Sequence, residues 1–600
     1  MKKSTVKNKK SGKSPLPRWD LTRIYDSLTD PRIEMDMQII EKSVADFAKK
    51  YDVAEKTYLN NAEALKLAVD SFEKLSADVS PKPLYYLFYQ QSVNGNDPEV
   101  HAKMALISQR ASKIGNQLEF FVIALGSISK DNQRGFLSNK ILAKHRFFLE
   151  CIFSDAAHKL SLGEEKMDSL KQLPAHELWV SHVEKLLGAR TVSWKGKHLP
   201  LGEALSLISE QKTSALRKKL ATLVYGELKH VADFSEGEIN AVFINKKIDD
   251  ELRGFKTPYE STVREYRNDP AVIEHLVKTV TDNFPIAHRF HALKAKLLKQ
   301  KKFDYWDRAA KIGVTKSTYS FADSLKILKK TFGSIDPKYA DILEQAVNER
   351  RIDAEPRKGK QGGAYCQSSY THPTHVLLNH VDTLNSLSTF AHEMGHAFHG
   401  ELSKSQGPIY CEYSYSLAET ASTLFEAIAE EAVFQSLPDK EKVIVLHDKI
   451  NGDIATIFRQ IACFNFELEL HQTIRAKGSV SKEEICTIHN KNMQAYLGPT
   501  FKMIPDDGYM FVSWSHIRRF FYVYSYAYGS LVSKALLRRY KKDPSFWTKI
   551  ELFLSAGGKD TPENILREIG IDVSAPEFFL DGLKTIEDDI ALLERLTTKK

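Results

Sequence analysis

His392-Glu393-Met394-Gly395-His396 sets two imidazoles four residues apart, with a carboxylate beside the first. On a helix, positions i and i+4 share one face, one turn apart. Neutral imidazole suits Zn²⁺, and this spacing lets both rings reach one ion at about 2.0–2.1 Å. Glu393 is then placed to take a proton from a water that such an ion acidifies. Chance supplies the motif roughly 0.04 times per chain of this length and composition, so surface histidines on an ordinary helix are the weaker reading.

A catalytic zinc holds three protein ligands and keeps one position open. Two residues compete for third place. His399 follows His396 by three positions and lies near the same face, but two turns beyond His392. Glu419 sits on the next apparent helix, past a Gly407-Pro408 break, where an antiparallel return brings its carboxylate from the opposite side. Ser416-x-x-Glu419 also spells a capping box, in which the glutamate only satisfies a backbone N–H. Spacing alone leaves both candidates open. Glu426, seven positions after Glu419 and close to the same helical face, is a candidate to orient a ligand imidazole.

The elements that must position these residues read mostly as helix. Apolar residues recur at three- and four-residue spacing over about 36–74, 103–125, 201–228, 271–300, 441–473 and 575–596. Thr561-Pro562-Glu563 gives a capping residue, a first-turn proline and an early acid before a run ending at Gly570. Strand-like sequence is scarce, the best cases being 364–369 and 375–381. The second, HVLLNHV, leads into the helix of the zinc motif. It has two candidate roles: to hold that helix, or to act as an edge strand that pairs with an extended peptide. Gly188 and the Trp194–Pro200 segment interrupt two helical regions. The expected division is a basic disordered leader (1–18), an N-terminal helical region (19–195) and a catalytic region (196–596). No fixed-period repeat is present.

Composition bounds the alternatives. The 600 residues are 42% hydrophobic and 27% charged, which excludes a wholly disordered or fibrous chain. The net charge of +8 first points to a polyanion partner. Seven of those charges, however, lie in residues 1–18, which hold six lysines, Arg18 and no acid. The body is nearly neutral, so nucleic-acid or anionic-surface binding survives only as a property of the leader. That leader lacks the apolar core of a secretory signal. No stretch approaches the roughly 20 apolar residues of a membrane span. Five scattered cysteines without a CxxC pair fit reduced thiols in a cytoplasm.

Five segments, in order, carry a resemblance: Gly363-Ala364-Tyr365-Cys366, HVLLNHV–DTL, HEMGHAFH at 392–399, AETAST at 418–423 with Glu426, and HIRRFFYVYSYAYG at 516–529. Together they resemble the thimet oligopeptidase family of zinc metallopeptidases, in its oligoendopeptidase F branch, over roughly residues 190–590. The zinc motif alone is shared by many peptidases. Its combination with AETAST and the tyrosine-rich segment is far more specific.

The resemblance implies a mostly α-helical, two-lobed metallopeptidase with a deep central substrate channel and a small β-sheet next to the HExxH helix. It implies one Zn²⁺ per chain, held by His392, His396 and Glu419, with Glu393 as general base. Short peptides are the implied substrates, cut at internal bonds, while folded proteins are spared by the narrow channel. His516 and Tyr522 become the expected oxyanion or substrate contacts, followed by Tyr526. Tyrosines at 522, 524, 526 and 528 share one face of a strand, whereas on a helix Tyr522 and Tyr526 share one side and Tyr524 and Tyr528 another. The resemblance implies the helix. Exopeptidase action on C-terminal dipeptides or single residues is the alternative within the same chemistry. A scaffold with a purely structural zinc is weakened by Glu393, since a closed site has no use for a base.

Overall fold

Asp30 opens the first long helix of the computed structural model, which describes residues 15–598. Its carboxylate accepts from the Arg32 N–H, and Pro31 fills the first turn, where a missing donor is harmless. The helical region expected over 36–74 is two helices, Pro31–Tyr51 and Ala62–Asp78, because Asn61 caps a new start. Likewise 201–228 resolves into Leu201–Glu210 and the 40-residue helix Ser214–Arg253, with Thr213 capping the second. In 441–473, a π-helical turn at Ile454–Phe458 joins Asp439–Asp453 to Arg459–Lys477. Thr561 caps Pro562–Glu568 as its sequence spells, and Gly570 follows in the left-handed region.

The helices enclose two hydrophobic cores. One gathers residues between Trp19 and Phe153; the other runs from Val183 to Leu593. A chain this long exceeds what one core can serve. Leu377 is buried in the first core while its neighbours Val376 and Leu378 are buried in the second, which ties the two together.

Among the described residues there are seven short strands, more than the sequence advertises: β1 (Thr191–Trp194), β2 (Lys197–Pro200), β3 (Phe303–Asp304), β4 (Ile352–Asp353), β5 (Tyr365–Gln367), β6 (His375–Leu377) and β7 (Phe501–Lys502). The 194–200 interruption is a hairpin, β1 with β2, turning through Lys195 and Gly196, both with positive φ. β3 pairs with β7 in parallel. The third sheet has the order β4-β6-β5, with β6 parallel to β4 and antiparallel to β5. This corrects the edge-strand expectation for 375–381. β6 is central, its backbone paired on both sides, and β5 is the edge that packs beside the zinc-motif helix.

Residues 1–14 of the expected leader lie outside the described residues. Pro17 and Arg18 are already fastened to the body: the Pro17 carbonyl accepts from the Ala354 N–H at 2.9 Å, and Arg18 pairs with Glu355. Among the described residues, no helix is long and apolar enough to cross a membrane.

Candidate metal centre

Thr383 caps the helix Leu384–Ser403 by accepting from the Ser386 N–H. Its apolar side, including Leu387, Phe390, Ala391, Met394 and Phe398, is buried, which turns His392 and His396 toward the neighbouring helix. That neighbour, Tyr415–Phe434, begins at Ser414, whose side chain accepts from the Ser416 N–H. Ser416 is therefore inside the helix, the capping box does not form, and Glu419 is free to project. Glu419 Oε2 lies 3.3 Å from His392 Nε2 and 3.9 Å from His396 Nε2. All three donor atoms fall within 4.8 Å of one another. Donors on a tetrahedral ion with bonds of about 2.0–2.1 Å stand roughly 3.4 Å apart, so the three residues fit one zinc with only a small contraction.

Charge favours the same occupant. Glu426 Oε2 accepts from His392 Nδ1 at 2.9 Å, fixing the ring and leaving Nε2 toward Glu419. Although burial works against it, hydrogen bonds to Glu419 and Glu426 raise His392 to about 10. Burial likewise opposes ionisation of Glu419, yet the His392 hydrogen bond holds it at about 2. Two carboxylates thus converge on one ring and call for positive charge, which a dication meets without a proton. Burial lowers His396 to about 4, keeping it the neutral donor a metal needs.

Glycine at 395 permits the approach of the two helices. A Cβ there would stand 2.6 Å from Ser422 Cα and 2.7 Å from the Ala421 carbonyl oxygen, both backbone. Helix propensity alone favours alanine by about 1 kcal/mol. Gly395→Ala is nevertheless expected to destabilise the fold by about 1–3 kcal/mol through overpacking, and to weaken metal retention by pushing Glu419 away. A wild-type Tm together with wild-type metal content after dialysis would sink this account of the glycine.

Glu393 is 6% exposed, and its Oε2 has no hydrogen-bond partner among the described residues. Burial pushes it up to about 7. His399 does not join the group. It is buried, stacked 3.5 Å from the Tyr413 ring, and lowered to about 3 by burial. Its ring lies against Tyr413 and Phe553, and its nitrogens are not among the three converging donor atoms. Sequence reasoning missed Glu430, one turn past Glu426. It is held near 7 by burial and the charge of Glu426, and it accepts from the Ser388 hydroxyl at 2.9 Å.

The tyrosine segment divides as a helix predicts, but the helix starts late, at Tyr524–Lys542. Tyr524 and Tyr528 are fully buried, and the Tyr524 hydroxyl donates to Asn268. Tyr522 sits in the turn before the helix, its hydroxyl hydrogen-bonded to His516 Nδ1. Tyr526 lies with them, its ring 5.8 Å from Tyr522 and 6.2 Å from His516. Burial, with Arg459 and Arg519 nearby, pushes His516 down to about 4. Tyr522 lines a cleft of about 440 Å³ with Tyr266, Tyr413, Tyr415, Glu265 and Arg519. Tyr415 leads from there toward the metal group, since it stands one turn before Glu419 on the same helix. Gly529 lets this helix close on the same neighbour, with a Cβ there only 3.2 Å from Glu419 Cβ.

Known proteins share this arrangement of the chain. The family model described as Peptidase family M3 matches residues 207–585. Group B oligopeptidase PepB of Streptococcus agalactiae serotype III is 24% identical over 599 residues, 97% of each chain. Oligopeptidase PepF of Bacillus subtilis is 28% identical over 358 residues, 58% of this chain and 52% of its own. Among solved structures, a protein from Chlamydophila abortus described as a peptidase superposes with a TM-score of 0.82 at 22% identity, covering 98% of this chain and 99% of that one. Oligoendopeptidase-F from Enterococcus faecium superposes with a TM-score of 0.69 at 18% identity, covering 95% and 100%.

Proposed function

The chain belongs to peptidase family M3, and from that premise we propose that it is a zinc-dependent oligoendopeptidase that cuts internal bonds of short peptides. One observation carries the reading: three donor atoms from two helices converge beside a buried carboxylate with a free oxygen. Bound there by His392, His396 and Glu419, zinc supplies Lewis acidity for water and for the scissile carbonyl. Glu393 accepts the proton of the attacking water and returns it to the leaving amine. Glu426 keeps the His392 ring in register. Tyr522 lines the cleft as the donor to the developing oxyanion, while the neutral His516 ring, hydrogen-bonded to its hydroxyl, holds it in place, with Tyr526 beside them. β5 offers its unpaired edge to an extended peptide backbone, which makes recognition largely indifferent to side chains. The five free cysteines support a reducing, cytoplasmic setting.

A second reading draws on Arg519. It is exposed, lines the cleft and makes no ion pair among the described residues, so it is available to a peptide's terminal carboxylate, as an exopeptidase requires. An internally quenched peptide blocked at both ends separates the two. Cleavage that stops with a chelator and returns with Zn²⁺ is the expected result. Failure to cut the blocked peptide, while the free one is trimmed, assigns an exopeptidase instead.

A further inference from the structure

Between His516 and Tyr522 the backbone passes through two consecutive left-handed residues, Phe520 at φ +42° and Phe521 at φ +60°. Bulky residues adopt this region only under strain, and only where the surroundings over-determine it. Those surroundings are specific. Phe521 is fully buried, its ring 5.1 Å from Phe464 and 5.1 Å from His471. The Thr262 hydroxyl donates to the Phe520 carbonyl at 2.9 Å. Just before the turn, Glu238 holds Arg518 through two hydrogen bonds of 2.9 and 2.7 Å.

The remaining fastening is the unusual one. Glu467, on the helix Arg459–Lys477, has no exposed surface, and its Oε1 accepts from the Phe521 N–H at 2.9 Å. Its other oxygen has no hydrogen-bond partner among the described residues. A carboxyl group buried so deeply is unfavourable unless something compensates. An apolar side chain would fill the space more cheaply, but it would leave the Phe521 N–H without an acceptor.

We infer that Glu467 is a positioning residue: by holding the Phe521 amide it keeps the strained turn that presents the Tyr522 hydroxyl to His516 and the cleft. This rests on the role proposed above for Tyr522. Misplacing a reacting group by about 1 Å lowers turnover by roughly a hundredfold, so small relaxations of this turn matter.

The test is a double-mutant cycle with a blocked peptide. Glu467→Met removes the acceptor at similar volume and is expected to lower kcat at least about tenfold, with KM and metal content little changed. Glu467→Gln keeps an acceptor oxygen and restores most of the rate. In a Tyr522→Phe background, Glu467→Met has little further effect, because both act through one hydroxyl. Thr262→Val, which releases the same turn from its other side, follows the same pattern and serves if Glu467→Met fails to fold. Additive losses, or a wild-type rate in Glu467→Met, overturn the inference while leaving Tyr522 in place. A fully active Tyr522→Phe overturns the reading of Tyr522 and this inference with it.

Discussion

Glu393→Gln is expected to load one metal per chain like the wild type and to lose about 10²–10⁴-fold in kcat on a short peptide, the range general-base catalysis supplies. The amide matches the carboxylate in shape, so packing beside His392 is unchanged, and Glu393 is not among the converging donor atoms. What disappears is a proton acceptor. Burial, helped by the charges of Glu419 and Glu426 and opposed by His392, sets Glu393 near 7, where a carboxylate is a stronger base than in water. A dication held by His392, His396 and Glu419 would favour the ionised form of Glu393. Metal analysis and turnover on the same preparation decide the matter. Intact metal with a rate above about a tenth of wild type would remove Glu393 from the role of base.

How much of this site is visible in one dimension follows from how local each requirement is. His392, Glu393 and His396 satisfy theirs within one turn of helix, so spacing reveals them. Glu419 does not: its sequence fits a capping box equally well, and only the actual start of the helix at Ser414 frees it. Gly395 carries a faint signal, since glycine in a helix interior is unfavourable and asks for a reason. Its reason, the Ser422 backbone, belongs to another helix. The order of the third sheet was equally hidden. HVLLNHV reads as a strand, but the distant pair Ile352–Asp353 is what makes it central and leaves Tyr365–Gln367 at the edge. The 191–200 hairpin was only half legible: the segment reads as a break between two helical regions, and only the pairing of Thr191–Trp194 with Lys197–Pro200 makes it two strands. Glu467 and Thr262 carry no local mark at all. Their work is done on a turn formed by residues far along the chain, where tertiary contacts hold Phe520 and Phe521 in a conformation their own propensities oppose.

Three neighbouring substitutions rank the residues around the metal. Glu426→Gln is expected to weaken metal binding about tenfold, the low end of the usual range for an outer partner of a ligand imidazole, because its amide oxygen still accepts from His392 Nδ1 but carries no charge. Glu419→Gln goes further and yields protein that leaves dialysis without metal and without peptidase activity. The two imidazoles that remain come from one helix and span only one side of the ion. The amide offers no negative charge, and Ser422, which donates to Glu419 Oε2 at 3.1 Å, cannot replace it. His399→Gln is expected to retain full metal, because that ring stacks on Tyr413 and is not among the converging donor atoms. The order of metal retention is therefore His399→Gln, then Glu426→Gln, then Glu419→Gln, read by metal content at a series of chelator concentrations. Its reversal, with His399→Gln empty and Glu419→Gln loaded, transfers the third ligand to His399. The fold would then have to rotate the end of the zinc-motif helix away from Tyr413, which the stacked rings at 3.5 Å resist.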